Sequence, residues 1–165
     1  MDDSLITYEE VESKMMAAFG AVPHILGAYK EIPNVIEGHM NVFGHIMMKK
    51  GLPLSRYERE YLAVETSNAN TCEYCISHHT SARDKHVEES NVTQEQRDAL
   101  KKLAFMMAKD PSTTPTLKKE FLEAGYDEKQ WLHAISVCSY FNFANRIVLS
   151  LDLPLEEGHE TILNQ

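Results

Sequence analysis

Apolar and polar positions along this chain repeat with the period of an α-helix, and no stretch shows the strict alternation of a strand. Leu100, Leu103 and Met107 recur at three and four residues, as do Leu132 and Ile135, continued by Ser139, Tyr140 and Phe143. Each set predicts a stripe turned toward a core. Helix starts are marked by Ser, Thr or Asp followed three residues later by Glu or Gln, a pairing in which side chains satisfy the orphan N–H groups of a first turn. Four such boxes occur. Thr7 with Glu10 opens a segment to about Phe19, Ser55 with Glu58 one to about Asn68, and Thr93 with Gln96 one to about Lys109; Asp127 with Gln130 opens the last long one. Pro23 and Pro33 each suit a first turn, which adds a short and a longer helix, and Gly51 with Pro53 stops the latter after Met47 and Met48. The run from Asp110 to Pro115 is the one loop-like stretch, too short for an interdomain linker. The expectation is an all-α fold of about seven to eight helices in a single domain over 1–165.

Composition fits that reading and narrows the function. Of the 165 residues, 43% are hydrophobic and 25% charged, close to globular averages. The formal net charge of −9 comes with no basic cluster, which argues against nucleic acid and against an anionic membrane surface. The start, Met-Asp-Asp-Ser, has neither the charged nor the apolar part of a signal peptide, and no apolar run approaches a membrane span. A cytoplasmic protein is expected.

Three cysteines change the picture, because two form a Cys-x-x-Cys pair, Cys72 and Cys75, which suggests redox or metal chemistry rather than a disulfide framework. Cys138, flanked by Val137 and Ser139, reads as a small buried hydrophobe, and the paired methionines at 15, 47 and 106 as core filler. Asn70 or Thr71 can cap a helix that carries the pair, placing both thiols near its positive end, where thiolate is favoured. On such a helix His79 stands over Cys75 at ~5–6 Å, four residues on. Cys72, Cys75 and His79 share an arc of about 60°, whereas His78 falls off that face. His79 is the candidate base for thiol chemistry. Glu60 lies on the preceding helix among Tyr57, Ala63 and Val64; spacing leaves it open between an exposed acid and a buried partner that fixes the His79 tautomer. Glu58 and Glu65 are expected at the surface. Position within the helix favours Cys72 as the thiolate. His24, His39, His45 and His86 lack ligand spacing and are expected to be isolated.

Glu60, Cys72, Cys75 and His79, each twelve, three and four positions after the one before, resemble the core motif of the alkylhydroperoxidase D-like proteins of the carboxymuconolactone decarboxylase superfamily. The motif core covers about 55–90, and weaker likeness runs from Pro33 to Pro154. The resemblance implies a helical fold, a homo-oligomer (trimer or hexamer), no cofactor, and a thiol-dependent peroxidase in antioxidant defence. It also implies that Cys75 attacks the peroxide and Cys72 resolves the product, with an unidentified donor reducing the disulfide. Tyr74 stands where alkylhydroperoxidase D has a histidine, and is expected to pack. Asn91 stands where similar chains often have Gly, and can adopt a left-handed cap. Two other chemistries use the same residues: a protein dithiol–disulfide oxidoreductase, and a structural zinc site, which the crowding of three candidates on one helix face disfavours.

Overall fold

The computed structural model describes residues 6–88, 90–158 and 162, and contains eight α-helices and no strand among them. They are α1 (Tyr8–Phe19), α2 (His24–Gly27), α3 (Pro33–Phe43), α4 (Arg56–Asn70), α5 (Glu73–Lys85), α6 (Gln94–Lys109), α7 (Lys118–Glu123) and α8 (Glu128–Leu151). A π-helical turn, Gly44–Met48, follows α3, and a 3-10 helix, Pro111–Leu117, precedes α7. No described helix is long and apolar enough to cross a membrane.

All four capping boxes form reciprocally at the starts of α1, α4, α6 and α8. Pro33 occupies the first turn of α3, and Pro23 sits one position earlier than that, as the N-cap of α2. The stretch after Asp110 is helical rather than a loop: Thr113 and Thr116 return hydroxyl hydrogen bonds to carbonyls three residues back, which tightens the backbone into 3-10 form. Glu58 is buried, because the N3 position of its box holds the carboxylate against the Ser55 N–H at 2.7 Å. Asn91 has no left-handed conformation; α5 ends earlier, at Lys85, with His86 as its cap.

Helix α4 packs against α5, α6 and α8 and so forms the centre of the molecule. The face of α8 turned to it carries Trp131, Ala134, Val137, Cys138, Phe141 and Val148. This corrects the expected stripe: Tyr140 is buried, but Leu132 is 64% and Phe143 48% exposed, because α8 is apolar nearly all round and only one side meets the core. Cys138, Met15 and Met47 lie within the core as expected, Cys138 with its thiol pushed up to about 12 by burial.

The junction between α4 and α5 sets the cysteines in place. Thr71 adopts the left-handed conformation (φ 58°), its N–H donating to the Asn68 carbonyl, and the Cys72 N–H donates to the Ser67 carbonyl at 3.0 Å. These bonds make a Schellman turn, normally closed by glycine. Its consequence is a sharp reversal that makes Cys72 itself the N-cap of α5, in place of Asn70 or Thr71.

Candidate active site

Glu60 is completely buried in the middle of α4, where an unpartnered carboxylate would cost several kcal/mol. It has two partners. Oε1 accepts from Arg56 Nε at 2.6 Å, one helical turn back, and Oε2 pairs with His79 Nδ1 of α5, also at 2.6 Å. Burial alone would raise the Glu60 pKa, but the charges and hydrogen bonds of His79 and Arg56 outweigh it and hold the carboxyl below its usual range. Arg56 is itself placed by Met48 Sδ at 2.8 Å and the Met47 carbonyl at 3.4 Å, at the end of the π-helical turn. The Glu60 contact takes up His79 Nδ1 as a donor and leaves Nε2 for other chemistry. The ring is wedged edge-on against Phe141 (centroids 4.6 Å) and Phe43 (6.3 Å).

Cys72 and Cys75 are reduced and hydrogen-bonded to one another. The neighbouring Cys75 thiol, the Cys75 backbone N–H and the Asn145 amide together hold the Cys72 thiol down to about 7. The Cys75 thiol, which gives its proton to that contact and lies deep in the protein, is pushed well above the ordinary thiol range. The resting charge of the pair therefore sits on Cys72, as its place at the helix start suggests. Access runs the other way. Cys72 is wholly enclosed, whereas Cys75 and His79 both line a pocket of about 540 Å³, its mouth included, walled mainly by apolar and aromatic side chains of α2, α3, α5 and α8.

Three contributions come from residues not expected to belong to the site. Asn145 of α8 is fully buried, bonds Ser67 Oγ (3.0 Å) and Asn70 Nδ2 (2.9 Å), and reaches both sulfurs. Its signal in the sequence is only that of an asparagine within a largely apolar helix, which does not tell the core side from the outer one. His78, expected to be off the face, borders the same pocket because the pocket wraps round α5 rather than meeting one narrow arc of it. Tyr74 does more than pack: its hydroxyl donates to Glu156 Oε1 at 2.5 Å, an oxygen that also accepts the His24 N–H, while Oε2 meets His78 Nε2 at 3.0 Å. Burial would raise Glu156, but the bonds from His78, Tyr74 and the His24 backbone bring it down to about 2. That cluster ties the segment after α8 to the cysteine helix. Third, His39 of α3 and Tyr140 of α8 meet at the pocket, Oη to Nε2 2.5 Å.

No family model and no curated protein matches the sequence. Solved structures do match. An uncharacterized peroxidase-related protein from Silicibacter sp. TM1040 superposes with a TM-score of 0.78 at 16% identity, over 99% of this chain and 94% of that one. The alkylhydroperoxidase AhpD core of an uncharacterized peroxidase-related protein from Ralstonia eutropha JMP134 gives 0.75 at 17%, over 96% and 90%. This chain has the alkylhydroperoxidase D-like fold. The same fold is seen in the debrominase Bmp8, which in complex with 2,3,4-tribromopyrrole gives 0.74 at 18% identity, over 99% of this chain and 97% of that one. On this all-helical fold the four motif residues meet at the α4–α5 pair, with Glu60 behind His79 and Cys72 behind Cys75.

Proposed function

We propose that this protein is a cytoplasmic thiol peroxidase of the alkylhydroperoxidase D-like group within the carboxymuconolactone decarboxylase superfamily, reducing alkyl or hydrogen peroxide for antioxidant defence. The observation that carries the reading is one apolar pocket bordered by Cys75 and by a histidine whose far nitrogen is bonded to a buried carboxylate, with a second, acidified thiol directly behind. The proton of Cys75 passes to Cys72 across their hydrogen bond, which frees a Cys75 thiolate in the pocket. That thiolate attacks one peroxide oxygen as the O–O bond breaks, and His79, protonated against Glu60, gives its proton to the departing alkoxide or hydroxide. The products are Cys75 sulfenic acid and an alcohol or water. Cys72 then displaces water to form the Cys72–Cys75 disulfide, and an external dithiol donor returns two electrons and two protons. The movement of the first proton reconciles the charge on Cys72 with attack by Cys75.

The test is a thiol titration against limiting cumene hydroperoxide. Wild type is expected to lose two thiols per peroxide, Cys72→Ser to stop at a Cys75 sulfenic acid, and Cys75→Ser to react at the background rate. A Cys75→Ser protein with the wild-type initial rate would overturn the assignment.

A second reading draws on the aromatic walls of the pocket and on the debrominase sharing the fold: the dithiol could reduce an aryl bromide, giving arene, bromide, a proton and the disulfide. Bromide release from 2,3,4-tribromopyrrole measures it. A protein disulfide is the poorer substrate, since Cys75 is only 4% exposed.

A further inference from the structure

We propose that His39, held in one tautomer by Tyr140, is the polar contact of the pocket before Cys75, and that this pocket selects small uncharged molecules bearing an acceptor oxygen over anionic ones. The proposal rests on the reading that Cys75 reacts with what enters this pocket.

The Tyr140 hydroxyl and His39 Nε2 lie 2.5 Å apart, with the rings edge to face. Two proton arrangements satisfy that distance. If Nε2–H donated, the tyrosine proton and the Nδ1 lone pair would both be buried with no partner among the described residues. If the hydroxyl donates, a single group is left over, Nδ1–H, so this arrangement is the one the protein holds. Burial keeps both rings neutral, His39 down at about 4 and Tyr140 well above its usual range. Nδ1 is buried and has no hydrogen-bond partner among the described residues. A buried N–H left unmade costs about 1–3 kcal/mol, which an acceptor from a bound molecule would recover.

The charge preference follows from the same walls. Among the described residues no lysine or arginine lines the pocket. Of the three histidines that line it among the described residues, His79 is bonded to Glu60, His78 faces Glu156, and His39 is neutral, so none of these offers a free positive charge. A carboxylate entering here would lose its hydration with the negative charges of Glu60 and Glu156 standing behind His79 and His78. A neutral aromatic or branched molecule would bury its apolar part against Phe43, Phe141 and Leu26 and give one oxygen to His39.

Calorimetric titration of the reduced full chain with 2-phenylpropan-2-ol and with benzoate, the same ring with neutral and anionic oxygen, tests this without any turnover. The alcohol is expected to bind at least tenfold more tightly than benzoate. His39→Leu is expected to weaken the alcohol about five- to tenfold, and His39→Asn, which puts an amide N–H near the Nδ1 position, to recover most of that loss. Should His39→Leu not fold, Tyr140→Phe releases the tautomer and is expected to weaken the alcohol about threefold. Equal binding of alcohol and benzoate, or full affinity in the variants, would overturn the inference and show an N–H satisfied by water alone. If the alcohol binds as expected but cumene hydroperoxide leaves Cys75 reduced, the peroxidase reading fails and the pocket assignment stands.

Discussion

At the scale of single residues the site is a problem of keeping charges out of water. Glu60 is ionised in the core only because Arg56 and His79 each supply a donor at 2.6 Å. Glu60→Gln preserves the shape but removes the negative charge that supports a protonated His79 and balances Arg56. Two outcomes are expected: a fall in the rate of peroxide-driven thiol loss by about 10²-fold, the lower end of what a positioned proton donor contributes, and a stability loss of about 3–5 kcal/mol, the usual result of breaking a buried pair. Stopped-flow thiol consumption and thermal unfolding measure them separately. The cysteines give a pH test. The Cys72 thiol is held down to about 7, so thiolate is present above that value and lost below it, and peroxide-driven oxidation should rise through about pH 7 and then level off.

At the scale of elements, what could be read from the sequence was what local chemistry decides. Capping boxes involve residues three apart and all four were legible, as were the i, i+4 relation of Cys75 to His79 and the all-helical class. The partner of His79 was legible only through the family motif, since nothing in the spacing of Glu60 chose burial over exposure. Asn145, Tyr140 and His39 were not legible as site residues, because they reach the site from helices 36 to 70 positions from Cys75, and a helix as apolar as α8 does not announce which side meets the core. Arg56 could have been found, being one turn before Glu60. The α4–α5 turn also hides a strain that no motif reveals. Thr71 is β-branched and exposed, yet sits at φ 58°. Thr71→Gly should stabilise the protein by about 1 kcal/mol by relieving that conformation, visible as a higher melting temperature with the disulfide chemistry unchanged. Thr71→Val should do nothing of the kind.

Across the whole molecule, two surfaces remain to be accounted for. The segment after α8 returns to the cysteine helix through Glu156, whose carboxyl lies at about 2 when folded and near 4.5 when unfolded. A depressed carboxyl of this kind stabilises above the unfolded value and loses that contribution as pH falls toward 2. Glu156→Gln should therefore cost about 1–2 kcal/mol at neutral pH, the shift being partly screened by solvent, and little near pH 2, measured as the difference between two pH-dependent unfolding curves. The other surface is the outer side of α8. Leu132 and Phe143 are exposed there with Ser136 and Ser139 between them, at spacings that put all four on one stripe. If the protein is a homo-oligomer, trimer or hexamer, this stripe is where another copy would lie. Light scattering at micromolar concentration should return a multiple of the 18.8 kDa chain mass. Leu132→Asp with Phe143→Asp should reduce it while leaving the helical circular dichroism intact, since neither side chain belongs to the core. A wild-type protein that scatters as a single chain would dispose of the homo-oligomer, and the outer stripe of α8 would then need another occupant.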